Sequence, residues 1–149
     1  PCPFRTSKWS NPVGVDLRCH FPTVAVWYPS FFKSLGNDIG IEAIAAHEEE
    51  LLNYATQTLS TIEGFRIIGT AAHKASVISF LVDGTHPYDL GVLLDQQGIA
   101  VRTGQHCTQP IMDQFCIAGT SRASFAMYNT KEEIDLFKAA LERAVNMLK

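Results

Sequence analysis

The fold of this chain is decided by two short apolar stretches, FRIIG at residues 65–69 and SVISFLV at residues 76–82. Both are rich in β-branched and aromatic residues, which favour extended backbone on a half-buried pleated surface. Only residues 70–75 separate them, so we predict two strands that pair through this loop. They form the start of a small sheet.

A helix is predicted before these strands, from Asp38 as its N-cap to about Ser60. Glu48, Glu49 and Glu50 fall mostly on its solvated side, because three consecutive positions cover too much of a helix's circumference to converge on a metal ion. We therefore predict no metal site there. The prediction rests on apolar residues at roughly helical spacing: Ile41, Ile44, Leu51, Leu52, Ala55, Leu59 and Ile62.

The elements after the two strands complete the prediction of the fold. A helix is expected over residues 86–97, with Pro87 in its first turn and Gly98 at its C-terminal cap. The order α-β-β-α-β-α-β-α lacks the regular alternation of a doubly wound sheet, so we predict an α+β fold in which helices cover a small sheet. The remaining elements are a strand at 99–102, a short helix at 110–115, a strand at 122–127, and a last helix that opens with a capping box over 130–133 and buries Ile134, Phe137, Leu141, Val145 and Leu148.

Composition and charge limit the possible functions. Of the 149 residues, 46% are hydrophobic and 18% charged, as in an ordinary globular domain. The formal net charge of −3 leaves no general basic field, so nucleic acid is not an expected partner. No uninterrupted apolar run reaches the roughly 18 residues that a membrane span requires, so no membrane is expected. The four cysteines share no metal-binding spacing, which favours a reducing, cytoplasmic location.

Residues 1–35 differ from the rest of the chain. They carry five of the seven prolines, a density that interrupts both helices and central strands. We predict an irregular arm over residues 1–35 and a separate domain over residues 36–149. Because Pro1 is not a natural start, we expect a chain that is processed or cut from something longer. A covering role over a neighbouring surface, or alternatively a ligand cage, is expected for the aromatic residues of the arm, Phe4, Trp9, Phe21, Trp27, Tyr28, Phe31 and Phe32.

The best candidate for chemistry is the loop RTGQHCTQP at residues 102–110. It places Cys107 beside His106, after an apolar strand and before a proline that can open a helix. A thiol attacks only as its thiolate, and a neighbouring cation or imidazole raises the thiolate fraction. The pattern indicates an activated nucleophile. The alternative for His106 is that it only caps a backbone group, and for Cys2, Cys19 and Cys116 a buried apolar role is expected.

The pair His73-Lys74 looks like the place where many pyridoxal phosphate enzymes put their Schiff-base lysine. Such a lysine must be desolvated and accompanied by a phosphate cradle, and no Gly-rich or Ser/Thr-rich cradle flanks this pair. We therefore predict that Lys74 lies in a solvated loop.

Two motifs in order, AVRTGQHC at residues 100–107 and RASFAMYNT at residues 122–130, resemble the C-terminal small domain of SUF-type cysteine desulfurases. These are class V aminotransferase-like pyridoxal phosphate enzymes of iron–sulfur cluster assembly, some of which act as selenocysteine lyases. The similarity runs from about Lys33 to Lys149. It implies an α+β domain like the C-terminal domain of fold-type I pyridoxal phosphate enzymes.

The resemblance also implies roles for four residues. Cys107 corresponds to the catalytic nucleophile, which attacks the sulfur of substrate cysteine and keeps it as a persulfide while alanine leaves. Arg122 corresponds to the arginine that grips the substrate carboxylate, a task that suits a planar two-pronged donor. Arg102 matches a further substrate-binding position, and His106 a supporting one. For either arginine, an ordinary ion pair with a glutamate is the alternative.

The same resemblance implies a cofactor and partners. Pyridoxal phosphate belongs to the parent family, whose large domain supplies the Schiff-base lysine, the aspartate on the pyridine nitrogen and the ring-stacking histidine. No residue here corresponds to these, so no cofactor is expected on this chain alone. The implied partners are cysteine as substrate, a SufE-type sulfur acceptor and a second subunit of a homodimer.

Three functions are consistent with these observations. The first is the small domain of a cysteine desulfurase, inactive without the large domain. The second is a non-enzymatic module that accepts or passes a persulfide at Cys107. The third is an interaction or regulatory protein that docks through the aromatic arm.

Overall fold

The computed structural model describes residues 39–71 and 74–149. Their strands form one antiparallel sheet in the spatial order β1-β2-β4-β3, which confirms the predicted α+β fold. The chain order is also the predicted one: α1 (Ile41–Leu59), β1 (Phe65–Ile68), β2 (Val77–Val82), α2 (Pro87–Asp95), β3 (Arg102–Gly104), α3 (Gln109–Phe115), β4 (Thr120–Ser124) and α4 (Lys131–Leu148).

The core lies between one face of the sheet and the helices. Along β2, Ile78, Phe80 and Val82 are buried while the residues between them are half-buried, as expected for a strand with one covered face. The ring centroid of Phe80 lies 5.0 Å from that of Phe65 and 6.0 Å from that of Phe137. The helical side of the core is formed by Leu51, Leu52, Ala55 and Leu59 of α1, Leu90 and Leu94 of α2, and Ile134, Phe137, Ala140, Leu141, Ala144 and Val145 of α4.

The predicted pairing of the first two strands is confirmed, with Phe65 opposite Val82 and Ile68 opposite Ser79. The predicted capping box is also confirmed: Thr130 Oγ1 accepts a hydrogen bond from the Glu133 amide, and the Glu133 carboxylate accepts one from the Thr130 amide. Both features could be predicted from residue types and spacing within a short stretch of the chain.

The bounds of two strands were predicted wrongly. Residues 99–101 are not in β3, because the amide of Ile99 donates to the carbonyl of Leu94 and holds this stretch against the end of α2. Residues 125–127 are not in β4, because the amide of Ala126 donates to Asn129 Oδ1 in the turn that precedes α4. Instead, β3 extends to Gly104 and β4 begins at Thr120, so both strands reach closer to the Cys107 loop than predicted.

The helix ends agree more closely with the predictions. The helix α1 begins after Gly40 and ends at Leu59, while the predicted N-cap Asp38 lies outside the described residues. The helix α2 ends at Asp95, and Gly98 follows with a φ of 78°. Pro87 and Pro110 both lie in the first turn of their helices, where a missing amide hydrogen costs nothing. No helix in the described ranges is long and apolar enough to cross a membrane.

Candidate functional site

The edge strand β3 and its neighbour β4 carry the two predicted arginines. Arg102 lies directly opposite Arg122 in the register of the two strands. Residues that face each other across an antiparallel pair project from the same face of the sheet. Arg102 is exposed, and Arg122 is half-buried with its Nε atom shielded from solvent. The sheet therefore holds two like charges on facing residues of adjacent strands.

A tight turn follows β3 and carries Cys107. The amide and hydroxyl of Thr108 both donate to the carbonyl of Gln105, at 2.9 Å and 2.7 Å. The two central residues, His106 and Cys107, have φ angles of 53° and 62°. Positive φ at both central positions is the pattern of a type I′ turn, which glycine, asparagine and aspartate dominate. Any other residue type costs about 1–2 kcal/mol of backbone strain in the left-handed region. The surrounding structure must therefore hold the turn in place.

Cys107 is exposed at the tip of this turn. Its thiol can be reached by a small molecule or by a partner protein without any opening of the fold. The prediction of a loop between a strand and a proline-started helix is confirmed here, because α3 begins two residues after Cys107.

The neighbouring His106 points back into the protein. Its Nε2 atom lies 3.1 Å from the carbonyl oxygen of Thr120 and 3.0 Å from the Thr120 hydroxyl oxygen. Its Nδ1 atom is buried and has no hydrogen-bond partner within residues 39–71 and 74–149. Burial lowers the pKa of His106 below its ordinary value of 6.5, and the charges of Arg122 and Arg102 lower it further, against the opposing effect of the Thr120 backbone. The imidazole is therefore neutral at pH 7.

Two glycines that the sequence analysis did not single out permit close packing of the segments around the site. A Cβ atom on Gly119 would lie 2.8 Å from the backbone carbon and oxygen of Gly104, just before the turn. A Cβ atom on Gly91 in α2 would lie 2.5 Å from Cγ2 of Thr103 in β3. Neither contact leaves room for a Cβ atom, so glycine fits at these two positions. An isolated glycine inside the predicted helix at 86–97 was the available signal for the second contact.

Other candidate residues lie away from the turn. Lys74 is exposed, as predicted, and its neighbour His73 lies outside the described residues. Glu49 and Glu50 are exposed, while Glu48 is half-buried and accepts a hydrogen bond from Ser76. Cys116 ends α3 in an exposed position, so the expectation of a buried apolar role for it is wrong.

Part of the sequence analysis stays untested by this geometry. The arm over residues 1–35, including Cys2, Cys19 and the seven aromatic residues, lies outside the described residues. Among the residues that the structure describes, no group of three or more histidine, cysteine, aspartate or glutamate side chains is arranged to hold a metal ion.

Comparison with known proteins gives consistent matches. Residues 25–137 match the protein family described as Aminotransferase class-V. Over 110 residues the chain is 49% identical to a probable cysteine desulfurase of Xylella fastidiosa, covering 74% of this chain and 26% of the relative. Over 105 residues it is 52% identical to a cysteine desulfurase of Synechococcus elongatus, covering 70% of this chain and 17% of the relative.

Solved structures agree with the sequence matches. The cysteine desulfurase CsdA of Escherichia coli superimposes with a TM-score of 0.72 at 34% identity, over 78% of this chain and 29% of that one. A cysteine desulfurase of Thermococcus onnurineus gives a TM-score of 0.70 at 36% identity, over 74% of this chain and 28% of that one. The chain thus covers between 17% and 29% of the length of these relatives.

Proposed function

Because the chain belongs to the class-V aminotransferase family, as a fragment that matches cysteine desulfurases, we propose that it is the C-terminal small domain of such an enzyme and that Cys107 accepts the sulfur. The observation that supports this most directly is the exposed Cys107 thiol at the tip of the turn that follows β3, the strand on which Arg102 faces Arg122 of β4.

The proposed reaction converts L-cysteine to L-alanine and leaves one sulfur atom on the protein. The Cys107 thiolate forms an S–S bond to the substrate sulfur while the C–S bond of the substrate breaks. The electron pair of that bond stays on the β-carbon, which takes up a proton to give alanine. The thiol sulfur and the transferred sulfur remain as a persulfide on Cys107.

Arg122 and Arg102 are proposed to bind the substrate carboxylate. The register places the two arginines on facing residues of adjacent strands, where both can approach one carboxylate. Arginine suits this role because its planar group donates two parallel hydrogen bonds to the two oxygens. The exposed guanidinium of Arg102 and the half-buried one of Arg122 would approach the carboxylate from different depths.

Pyridoxal phosphate, the cofactor that the family implies, supplies the electron sink for cleaving the C–S bond. The described lysines do not fit a Schiff-base site: Lys74 and Lys149 are exposed, Lys131 pairs with Glu50, and Lys138 lies near Glu142. A Schiff-base lysine must be desolvated and free of such pairing. We therefore propose that turnover needs the part of the enzyme that this chain does not match, and we assign no cofactor contact here.

Sulfur transfer onward is proposed to occur at the same thiol. Because Cys107 is exposed, a SufE-type acceptor could bring its own cysteine to the persulfide without rearrangement of the domain. Assembly into a homodimer is proposed from the family resemblance.

The first experiment tests sulfur acceptance. The chain is incubated with glutathione persulfide, and its cysteine peptides are analysed by mass spectrometry. We expect one added sulfur on the Cys107 peptide and its loss in Cys107→Ala. No adduct at Cys107 in the wild-type chain would contradict the proposal.

The second experiment separates the enzymatic role from a non-enzymatic persulfide carrier. Alanine and sulfide are measured with cysteine, pyridoxal phosphate and dithiothreitol, for the chain alone and for the chain joined to the N-terminal part of a cysteine desulfurase. We expect activity only in the joined protein and none after Cys107→Ala. Activity of the chain alone would show that it holds the cofactor, while an inactive joined protein that still accepts sulfur would favour the carrier.

A further inference from the structure

The proposed sulfur chemistry does not use Thr120, yet this residue holds the imidazole next to the nucleophile. Thr120 is 1% exposed and lies on β4, opposite Gly104 of β3. Both its carbonyl oxygen and its hydroxyl oxygen lie within 3.1 Å of His106 Nε2. Because β4 lies inside the sheet, this contact ties the exposed turn to an interior strand.

The chemistry of these atoms determines where the imidazole proton lies. A carbonyl oxygen only accepts hydrogen bonds, whereas a hydroxyl both donates and accepts. A proton on Nε2 satisfies the carbonyl contact. A proton on Nδ1 would turn the lone pair of Nε2 toward the carbonyl lone pairs and would leave a buried N–H donor with no partner in the described ranges. The Nε2–H tautomer is therefore the favoured one.

The turn needs such a tether because its backbone is costly. His106 and Cys107 both have positive φ, and strained positions persist only where several contacts fix them together. Three contacts act here: the hydrogen bonds from Thr108 to Gln105, the close approach of Gly119 to Gly104, and the contact between His106 and Thr120. Only the last of them reaches the side chain adjacent to the thiol.

We propose that Thr120 is a positioning residue that holds His106 as its neutral Nε2–H tautomer and thereby keeps Cys107 in its left-handed position. This inference rests on the proposed function of Cys107 as the sulfur acceptor. His106 is then a neutral anchor and not the cation that stabilises the thiolate.

Two substitutions of His106 test whether its Nε2 contact with Thr120 anchors the turn. Each places a side-chain amide nitrogen near the position of one ring nitrogen. The amide nitrogen of His106→Gln can reach the place of Nε2 and donate to Thr120, whereas that of His106→Asn reaches only the place of Nδ1. Alkylation of the Cys107 peptide by iodoacetamide is followed by mass spectrometry across pH in the full 149-residue chain. Circular dichroism checks that both variants fold.

We expect His106→Gln to alkylate at nearly the wild-type rate. We expect His106→Asn to react about threefold more slowly at neutral pH, since loss of the Nε2 contact to Thr120 lets the turn leave the conformation that exposes the Cys107 thiol. Equal rates for the folded Gln and Asn variants would overturn the proposal, whether both match the wild type or both fall below it. If either variant does not fold, the tautomer measurement on the wild-type chain decides alone.

Nitrogen-15 NMR of the imidazole measures the tautomer, with His106→Gln identifying the His106 signals. We expect a protonated Nε2 and an unprotonated Nδ1 at neutral pH, and the same tautomer in Thr120→Ser. A proton on Nδ1, or on both nitrogens, overturns the inference. Persulfide formation on Cys107 is measured separately, so wild-type sulfur acceptance together with the wrong tautomer would refute the anchor and leave the proposed function standing.

Discussion

The turn at residues 105–108 and the start of α4 at residues 129–133 are both short polar segments, but they are stabilised in opposite ways. At the start of α4, Thr130 and Glu133 exchange hydrogen bonds, and Asn129 donates to the same Glu133 carboxylate. All these partners lie within four residues of one another. At the turn, His106 depends on Thr120, which is 14 residues away in the chain.

The two segments also differ in the conformational free energy that their backbones cost. The start of α4 uses favoured dihedral angles and satisfies its own backbone, so it stabilises the domain. The turn places two residues with side chains at positive φ and leaves a buried imidazole nitrogen without a hydrogen bond in the described ranges. Such costs are typical of a segment whose conformation is needed for the position of one side chain, here that of Cys107.

The substitution Gly119→Ala is expected to have the largest effect, because its Cβ would meet the backbone of Gly104, which cannot move aside as a side chain could. We expect a loss of about 1–3 kcal/mol in the free energy of unfolding, measured with urea, and altered alkylation of Cys107. The control Gly98→Ala adds only left-handed strain in open space, so it should cost about 1 kcal/mol without changing the thiol. An unchanged Cys107 rate in Gly119→Ala would mean that this contact does not shape the turn.

The substitution Thr130→Ala removes the cap of α4 and should cost about 1 kcal/mol, again measured by urea unfolding. Thr130→Ser keeps the hydroxyl acceptor and should recover most of that loss. Neither variant should change the alkylation rate of Cys107. A change in that rate would show that the start of α4 and the turn at residues 105–108 are energetically coupled.

A pair of variants at Cys107 measures the strain of the turn directly. Glycine tolerates positive φ, so Cys107→Gly should be more stable than Cys107→Ala by about 0.5 kcal/mol despite the greater flexibility of its unfolded chain. The same pair at Asn53, an exposed position inside α1, should show the reverse order. If alanine is also the more stable residue at position 107, the left-handed conformation is not present in solution.

The pH dependence of stability gives the smallest expected effect. The lowered pKa of His106 means that the unfolded chain binds its proton more readily than the folded one. This contribution to stability is therefore fully present above the ordinary pKa of 6.5 and is lost as the pH falls below it. Urea unfolding from about pH 7 to about pH 5 should show a loss of stability that is smaller in His106→Gln. An identical loss in the two proteins would assign it to other groups.

The contrast also explains what the sequence could and could not predict. The capping box, the pairing of β1 with β2 and the first-turn prolines depend on neighbours in the chain, so residue type and spacing were sufficient. The positions of β3 and β4 depended on the Ile99 amide and on Asn129, which act outside the periodic pattern. The Cys107 loop was recognised from its residue types, but its left-handed backbone was not, because neither histidine nor cysteine signals positive φ.

The closest contacts of the candidate site were beyond prediction for the same reason. Gly119 and Thr120 carry no chemical signature, and their importance arises only when β4 lies beside β3. Distances between remote segments cannot be derived from the spacing of residues within either one.

The register that places Arg102 opposite Arg122 has a consequence for the energetics of the sheet edge. Like charges directly opposite each other oppose the pairing of the edge strand with its neighbour. A bound carboxylate would reverse the sign of that contribution, and by mass action the melting temperature would rise with ligand concentration. The thermal stability of the sheet edge would thus depend on the anions around it.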